Sequence, residues 1–288
     1  MYTVLIKTIK MNNKLIVSIV LLVFSSFYGN AQTIKKLSET GFYANFTPDG
    51  QKVVFSSSNF KGLKLMDLNS SEVEVLSDEV GAGYDPVVEN QKVFFNTRNN
   101  KLQVQELNFN TKITKVYSNR SKKAVSVGGI SLGKNISGLP VDAKSSADLS
   151  AIELIYSDGT SKLINVDKKT NKVWVSLSPD RTKILYSVVG QETFITDLKG
   201  NVIAGIDRAE APAWGSNNKI VFMLTEDDSR GEYIVGSDIF IFDIKNEKSL
   251  KLTTKFKEVA LYPAMSSDDN KVIFNNDKGD LFLINLKK

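Results

Sequence analysis

The sequence predicts an all-β protein, a six-bladed β-propeller whose blades are four-stranded antiparallel sheets. Two kinds of segment recur and alternate along its 288 residues. One is a turn phrase between hydrophobic strands, and the other is an alternating strand that ends in an acid or an amide. A third observation, a spare strand near the N-terminus, predicts how the ring of blades closes.

The turn phrase is most complete at residues 46–55, which centre on Pro48, Asp49 and Gly50. Proline fixes φ, aspartate hydrogen-bonds the backbone that follows it, and glycine accepts a positive φ. The phrase therefore predicts the connection between the first and second strands of a blade. Close copies occur at residues 177–186 and 265–274, and degenerate copies at 88–95 and 214–222.

The alternating strand follows each turn phrase and predicts the third strand of the blade. The gap between Glu106 and Asp197 is about twice the others, which indicates a hidden repeat at residues 152–159 with Tyr156 at the acidic position. With it, the repeats are about 40 to 50 residues apart, a spacing typical of four-stranded blades, and their number predicts six blades. The other acidic or amide positions are Asp67, Glu106, Asp197, Asp243 and Asn285.

A fourth, outer strand is predicted after five of the six third strands, but none follows the sixth. Residues 33–39 resemble the outer strand at 249–253 and run directly into the first repeat. We therefore expect the N-terminal strand to complete the last blade and to remove the exposed edges of an open ring. The outer strands are predicted at residues 73–76, 112–116, 162–166, 202–206 and 250–253.

These repeats resemble the WD-repeat-like, S-P-D-G-bearing propeller repeats of the TolB-type family over nearly all of residues 32–288. The resemblance implies a six-bladed propeller and, in that family, protein contacts within the cell envelope. Repeats of this kind also occur in front of peptidase domains. The separate N-terminal domain of the family's namesake has no counterpart in this sequence.

Residues 1–31 predict a secretory signal peptide, in which Lys10 and Lys14 lead into an apolar run at 15–24 and small residues end at Ala31. The apolar run is shorter than the ~20 residues of a spanning helix, so a retained anchor is the alternative. Met11 is a second candidate for the start. We expect a propeller of residues 32–288, exported to the periplasm or the cell exterior, with no membrane span after cleavage.

The sequence contains no histidine and no cysteine. Ser-His-Asp and Cys-His catalysis, disulfides, and zinc sites built from imidazole or thiolate are therefore excluded. Carboxylate pairs, or Lys, Tyr and Arg acting with a hard cation, remain for an enzyme. We expect no cofactor and no bound metal. Residues 32–288 carry 34 basic and 32 acidic residues, a balance that does not indicate a nucleic-acid partner.

Most carboxylates recur at one position of the repeat, so they are predicted to build blades. Function is expected where the repeats differ, in the loops joining strand two to three and strand four to the next strand one, which share one face of a propeller. The longest of these loops, residues 225–237, contains Arg230 and Tyr233, residue types enriched at binding hot spots. The recurring acids are Asp49, Asp180 and Asp268 in the turn phrase and Asp67, Asp197 and Asp243 in the third strand.

The loops between blades add further candidates for the mouth of the channel, although packing of the tyrosines between blades is the alternative. Trp214 is predicted to be core, and Trp174 to face either the channel or a neighbouring blade. The acids at 226–228 lack the ligand spacing of a calcium loop, so we expect them to be solvated. The candidate ligand-binding residues are Tyr84, Asp85, Arg208, Glu210, Arg230, Tyr233 and Tyr262.

Two functions from different classes fit the sequence. The first is a non-catalytic, exported propeller that binds a protein, a peptide or a glycan at its channel face. The second is a carbohydrate-active lyase or hydrolase on the same scaffold. The second would need two acids, or an acid with Arg or Lys and a cation, converging on the channel.

Overall fold

The computed structural model describes residues 33–83, 86–89, 92–99, 101–111, 114–118, 138–166 and 170–286. They form 23 β-strands and one short 3-10 helix, Ser58–Phe60. The strands assemble into six antiparallel sheets arranged as the blades of a propeller. The predicted fold class is confirmed.

The blades follow one another in chain order. Blade 1 contains β2 (Phe42–Phe46), β3 (Lys52–Ser56), β4 (Lys61–Asp67) and β5 (Val73–Val80). Blade 2 contains β6 (Val87–Glu89), β7 (Lys92–Asn99), β8 (Lys101–Asn108) and β9 (Thr114–Ser118). Blade 3 contains β10 (Asp142–Ser145), β11 (Ile152–Ile155) and β12 (Ser161–Ile164). Blade 4 contains β13 (Lys172–Leu177), β14 (Lys183–Val188), β15 (Thr193–Asp197) and β16 (Val202–Ile206). Blade 5 contains β17 (Glu210–Trp214), β18 (Lys219–Asp227), β19 (Ile234–Asp243) and β20 (Lys248–Lys251). Blade 6 contains β21 (Leu261–Met265), β22 (Lys271–Asn275), β23 (Asp280–Asn285) and β1 (Ile34–Thr40).

The N-terminal strand β1 closes the ring, as predicted. It pairs antiparallel with β23, with Ile34 opposite Ile284 and Thr40 opposite Asp280. The Lys36 ammonium lies 2.7 Å from the Asp280 carboxylate and reinforces the pairing. The last blade is thus built from both ends of the described chain.

The core lies between blades, because successive side chains of a strand point to opposite faces of its sheet. In blade 6, Ile273 packs against blade 1 and the adjacent Phe274 packs against blade 5. Each fully buried side chain of this size contributes about 1.5–3 kcal/mol of burial free energy. The described residues form five such clusters between neighbouring blades. This packing fixes the inner strands around the channel.

The turn phrase has the predicted structural role. The Thr47 hydroxyl donates to Asp49 Oδ1 at 2.6 Å, and the Gln51 N–H donates to the same oxygen at 3.0 Å. Ser178–Asp180 and Ser266–Asp268 repeat the arrangement. A fourth copy, at Ser146 and Asp148, was missed by the sequence analysis.

The hidden repeat lies in a different register from the one predicted. Residues 152–155 form the second strand of blade 3, and Tyr156 lies in the following turn, so the assignment of that segment as a third strand was wrong. Ile164 pairs with Ile152 as Ile284 pairs with Val272, which puts Asn165 at the position of Asn285. Of residues 162–166, which were predicted as an outer strand, 162–164 therefore belong to the third strand. The described part of blade 3 has three strands.

The acidic position of blade 2 was also misplaced by two residues. Asn108 pairs with Lys92 as Asp67 pairs with Lys52. The Asn108 side chain accepts the N–H of two following residues, at 2.9 and 3.0 Å, as an aspartate does in the equivalent turns. Glu106 is instead buried, and its carboxylate lies 2.7 Å from the Lys92 ammonium.

The predicted signal peptide, residues 1–31, lies outside the described residues. Within the described ranges, no helix has the length and apolar character needed to cross a membrane.

Candidate functional site

The first strands of blades 1, 4, 5 and 6 share one irregularity at the centre of the ring. Each contains a β-bulge with a non-glycine residue at positive φ: Tyr43 (52°), Trp174 (51°), Ala211 (43°) and Tyr262 (50°). This conformation costs an L-residue about 1–2 kcal/mol. A bulge re-aims the side chain it carries, and such strain concentrates at functional sites.

These four residues meet at a cavity of about 570 Å³ at one mouth of the channel. The cavity lies on the face of the loops that join strand two to three and strand four to the next strand one. This is the face from which binding was predicted. The cavity is lined by Tyr43, Ala44, Asn45, Phe60, Pro86, Trp174, Ala211, Pro212, Ala213, Tyr262, Pro263 and Ala264.

Aromatic rings form one wall of the cavity. The Tyr43 ring centroid lies 4.4 Å from that of Tyr262 and 5.4 Å from that of Phe60, where the rings stack. Phe60 reaches this wall because it ends the 3-10 helix between β3 and β4 and adopts a positive φ of 54°. Trp174 contributes a further ring and remains 48% exposed. Rings at these separations form a pre-built apolar contact surface.

The described lining carries no charged side chain. Pro212 and Pro263 directly follow the bulge residues of blades 5 and 6, and a proline offers no N–H to a ligand. The Asn45 amide, the one carboxamide of this lining, donates to the Tyr43 carbonyl at 3.4 Å. The cavity is therefore suited to an uncharged, mainly apolar group.

The candidate residues from the loops between blades have different positions. Tyr262 lines the cavity. Glu210 accepts the Thr225 hydroxyl at 2.8 and 2.9 Å, so its carboxylate holds the base of the β18–β19 hairpin. Arg208 is exposed in the turn before β17, outside the cavity lining. Tyr84 and Asp85 lie outside the described residues.

Arg230 and Tyr233 lie at the tip of the β18–β19 hairpin, away from the cavity lining, and Tyr233 is 69% exposed. The Asp228 carboxylate accepts the N–H of Glu232 at 2.8 Å, and further backbone N–H groups of the loop. These hydrogen bonds, the one from Glu232 first, hold the pKa of Asp228 below its usual value. Asp228 thus organises the tip. No group of three acids among the described residues could hold a metal ion.

Sequence reasoning missed Tyr43 and Phe60 and left Trp174 undecided. A signal was available for Tyr43 and Trp174. Each lies three residues before the end of a first strand, as the predicted Tyr262 does, and these strands end at Phe46, Leu177 and Met265. When the blades are aligned on their turn phrases, these three residues and Ala211 occupy the same column of the alignment. Phe60 has no such signal, because it belongs to a loop found in one blade.

Asp142 occupies the same column in blade 3, where the strand has no bulge. Its neighbour Ala143 packs into the cluster between blades 3 and 4, so the Asp142 side chain points to the opposite face of the sheet. Burial raises the pKa of Asp142 to about 7, although the Ala143 N–H donates to it. Asp142 is not part of the cavity lining.

Trp214, predicted to be core, is half-buried against the cluster between blades 4 and 5. Its indole N–H is buried and has no hydrogen-bond partner among the described residues.

No protein-family model and no curated protein sequence matches the chain. Among solved structures, it is similar to the oligogalacturonate lyase of Vibrio parahaemolyticus, with 11% identity and a TM-score of 0.57, over 88% of this chain and 94% of that one. It is also similar to the Cps50 (Swd1) β-propeller domain of Myceliophteria thermophila, with 8% identity and a TM-score of 0.52, over 89% of this chain and 100% of that one. A chain of the mitotic checkpoint complex is similar as well, with 9% identity and a TM-score of 0.51, over 100% of this chain and 99% of that one.

The similar structures include a lyase and a β-propeller domain, so proteins of different function share this architecture. Identities this low show the fold alone. The chain is a six-bladed β-propeller.

Proposed function

We propose that this protein is a non-catalytic binding propeller that holds a peptide, or a segment of a protein, in the aromatic cavity at the channel mouth. The observation that carries the proposal is the set of bulges that turn Tyr43, Trp174 and Tyr262 into one cavity. Aromatic-lined depressions of this kind recognise extended or proline-rich peptides. A glycan is the other ligand class, since its ring faces also stack on aromatic side chains.

The chemistry of the lining supports binding over catalysis. General acid–base chemistry needs a titratable group within hydrogen-bond reach of the reacting atom. The tyrosine hydroxyls are the titratable groups of the described lining, and it offers no carboxylate, lysine or arginine to act with them. A sugar bound there would also find few partners for its hydroxyls, which favours a peptide over a glycan.

A place in the cell envelope is the second part of the proposal. It is supported by the signal-peptide pattern of residues 1–31 and by the resemblance of the repeats to those of the TolB-type family. Cell fractionation, with N-terminal sequencing of the mature protein, would test it. A cytoplasmic protein that retains residues 1–31 would overturn this part.

The cavity is tested by filling it with Ala211→Tyr. Tyr43 and Tyr262 already adopt the required positive φ at equivalent positions, so a tyrosine fits the backbone of β17. Phage-displayed peptides and a glycan array are the probes. We expect selected peptides to lose at least about tenfold in affinity for the variant, because its ring occupies their space.

The control is Val189→Tyr, which adds the same ring at an exposed position on the same face, outside the cavity lining. Its affinity should match that of the parent. If no peptide or glycan binds, or if binding survives Ala211→Tyr, the cavity is not the site.

A second candidate function, a lyase or hydrolase, is favoured by Asp142 alone. A carboxyl with a pKa of about 7 can exchange protons near neutral pH. The oligogalacturonate lyase among the similar structures suggests acidic oligosaccharides as the first substrates to assay. Product formation that Asp142→Asn abolishes would support this candidate, and no turnover across a panel of such sugars would eliminate it.

A further inference from the structure

The β18–β19 hairpin rises from the edge of the aromatic cavity. β18 and β19 stay paired up to Asp227 opposite Ile234, whereas β17 pairs no further along β18 than Met223. The Tyr262 N–H donates to the Met223 sulfur at 3.4 Å, so β18 lies directly beside one wall of the cavity. Its upper half therefore extends past the rest of blade 5.

The two faces of this hairpin look towards different blades. Val221 and Met223 pack into the cluster with blade 6, whereas Phe222 packs into the cluster with blade 4. The register of the two strands shifts between Glu226, opposite Gly236, and Asp227, opposite Ile234, and the extra residue lies in β19. Side chains along β18 therefore keep their alternation, so Asp227 lies on the blade 6 side and Glu226 on the blade 4 side. The blade 6 side is the side that contacts Tyr262, through Met223.

The hairpin is held in place at its base. The Thr225 hydroxyl donates a hydrogen bond to the Glu210 carboxylate, and the Ser237 hydroxyl donates one to the Ala260 carbonyl at 2.5 Å. Above these contacts, Asp227 is exposed and Ile234, which pairs with it, is 43% exposed. The Asp227 carboxylate forms no hydrogen bond or ion pair with any described residue. A fixed, partly apolar face with a free carboxylate thus continues upward from the cavity.

We propose that the partner is an extended, cationic peptide segment, which places an apolar side chain in the cavity and runs up the blade 6 side of the hairpin to set a lysine or arginine against Asp227. This inference rests on the proposed function and specifies its ligand. Asp227 lies four residues beyond Met223 along the strand, a rise of about 13 Å. An extended peptide covers that distance in about four residues, and a free monosaccharide or small apolar molecule does not.

Charge complementarity selects a cationic peptide. The hairpin tip carries the carboxylates of Glu226, Asp227, Asp228 and Glu232 and the single cation Arg230. The Arg230 Nε lies 3.9 Å from the Glu232 carboxylate, so the one cation of the tip pairs with Glu232 and not with Asp227. A basic residue reaching Asp227 would form a new ion pair, and the same tip would repel an acidic peptide.

The test combines a displayed library of 12-residue peptides with matched charge reversals. Asp227→Lys and Glu226→Lys make the same change on adjacent residues of opposite hairpin faces. We expect the selected peptides to carry Lys or Arg three to five residues from a large apolar residue. Synthetic copies should bind Asp227→Lys about tenfold more weakly, and Glu226→Lys less than about threefold more weakly. Replacing the basic residue of the peptide by Ala should remove that difference.

The outcomes separate the two proposals. If Ala211→Tyr blocks the peptides but Asp227→Lys and Glu226→Lys act alike, the cavity is the site and the hairpin face is not. If the selected peptides lack a basic residue at that spacing, the inference also fails while the cavity remains. If Ala211→Tyr leaves binding unchanged, both proposals fall.

Discussion

Lys172 shows how a single side chain joins two blades. It is fully buried, and its ammonium donates to the carbonyls of Ser150 and Thr170, both at 2.8 Å. Its own carbonyl accepts the Ser145 hydroxyl at 2.7 Å. The lysine thus ties the turn of blade 3 to the first strand of blade 4, where the described part of blade 3 has no outer strand. A buried charge in such a setting needs all of its partners.

Lys172→Met should therefore destabilise the protein by about 3 kcal/mol, because buried carbonyls lose a charged donor. Lys162→Met, at an exposed position of β12, is the control and should change the free energy of unfolding by less than about 0.5 kcal/mol. Urea denaturation of both variants measures the difference. Equal stability of the two variants would contradict this role of Lys172.

Asp142 predicts a pH dependence of stability. Its folded pKa of about 7 exceeds the ordinary value of 3.8, so between these values the folded protein binds more protons than the unfolded chain. Stability from this residue therefore falls as pH rises from about 4 to about 7, and the full penalty is present above pH 7. Asp142→Asn removes the titration. Lys144 and Glu153, which form an ion pair nearby, are unchanged in this variant.

The melting temperature of the Asn variant should be higher than that of the parent at pH 8, and the difference between the two should vanish near pH 4. Melting temperatures measured across that range check it. A difference in melting temperature that does not change with pH would show that burial does not raise the pKa of Asp142.

At the scale of the element, the turn of blade 3 predicts the opposite pH dependence. Hydrogen bonds from the hydroxyls of Ser146 and Ser150, and then from the Ser150 N–H, lower the pKa of Asp148 to about 2. Its stabilising effect is present above pH 4 and is lost as pH falls through about 2. Asp148→Ala should therefore unfold at lower temperature than the parent at pH 7, and the gap should narrow below pH 4. A constant gap would indicate that the carboxylate is not the stabilising group.

Strand registers were predicted best where the turn chemistry is complete. The phrase around Asp49 specifies φ at consecutive residues, so both flanking strands were placed correctly. In blade 3 the turn keeps Ser146 and Asp148 but places Leu149 at a positive φ of 60°. Leucine gives no signal for that conformation. The apolar alternation of residues 152–155 then fits a second or a third strand equally, because both alternate with period two.

The candidate site was predicted in part for a similar reason. Tyr262 is followed by Pro263 at the start of its strand, which marks the junction between two blades, whereas Tyr43 is followed by Ala44. Arg230 and Tyr233 were chosen because they vary between blades, but their distance from the channel depends on the length of the β18–β19 hairpin. Pairing that continues past the end of β17 is a tertiary property, and the local sequence does not encode it.

At the scale of the whole molecule, ring closure by β1 leads to a direct test. Deleting residues 32–41 should expose the edge of β23, remove Leu37 from the cluster between blades 6 and 1, and lower the melting temperature or cause aggregation. A synthetic peptide of residues 32–41 added in trans should restore part of the loss. Scanning calorimetry measures both effects. A truncated protein as stable as the parent would rule out a stabilising role for this strand.

The pairing of β1 with β23 also governs when the protein can fold. Ile34 lies opposite Ile284, a contact that spans 250 positions of the chain. During synthesis, β1 has no partner until β23 has left the ribosome, so most of the blades can form before the ring can. Contacts this distant carry a high loop-closure cost and slow folding. We therefore expect the meeting of the two chain ends, rather than the assembly of any blade, to be the last and slowest step.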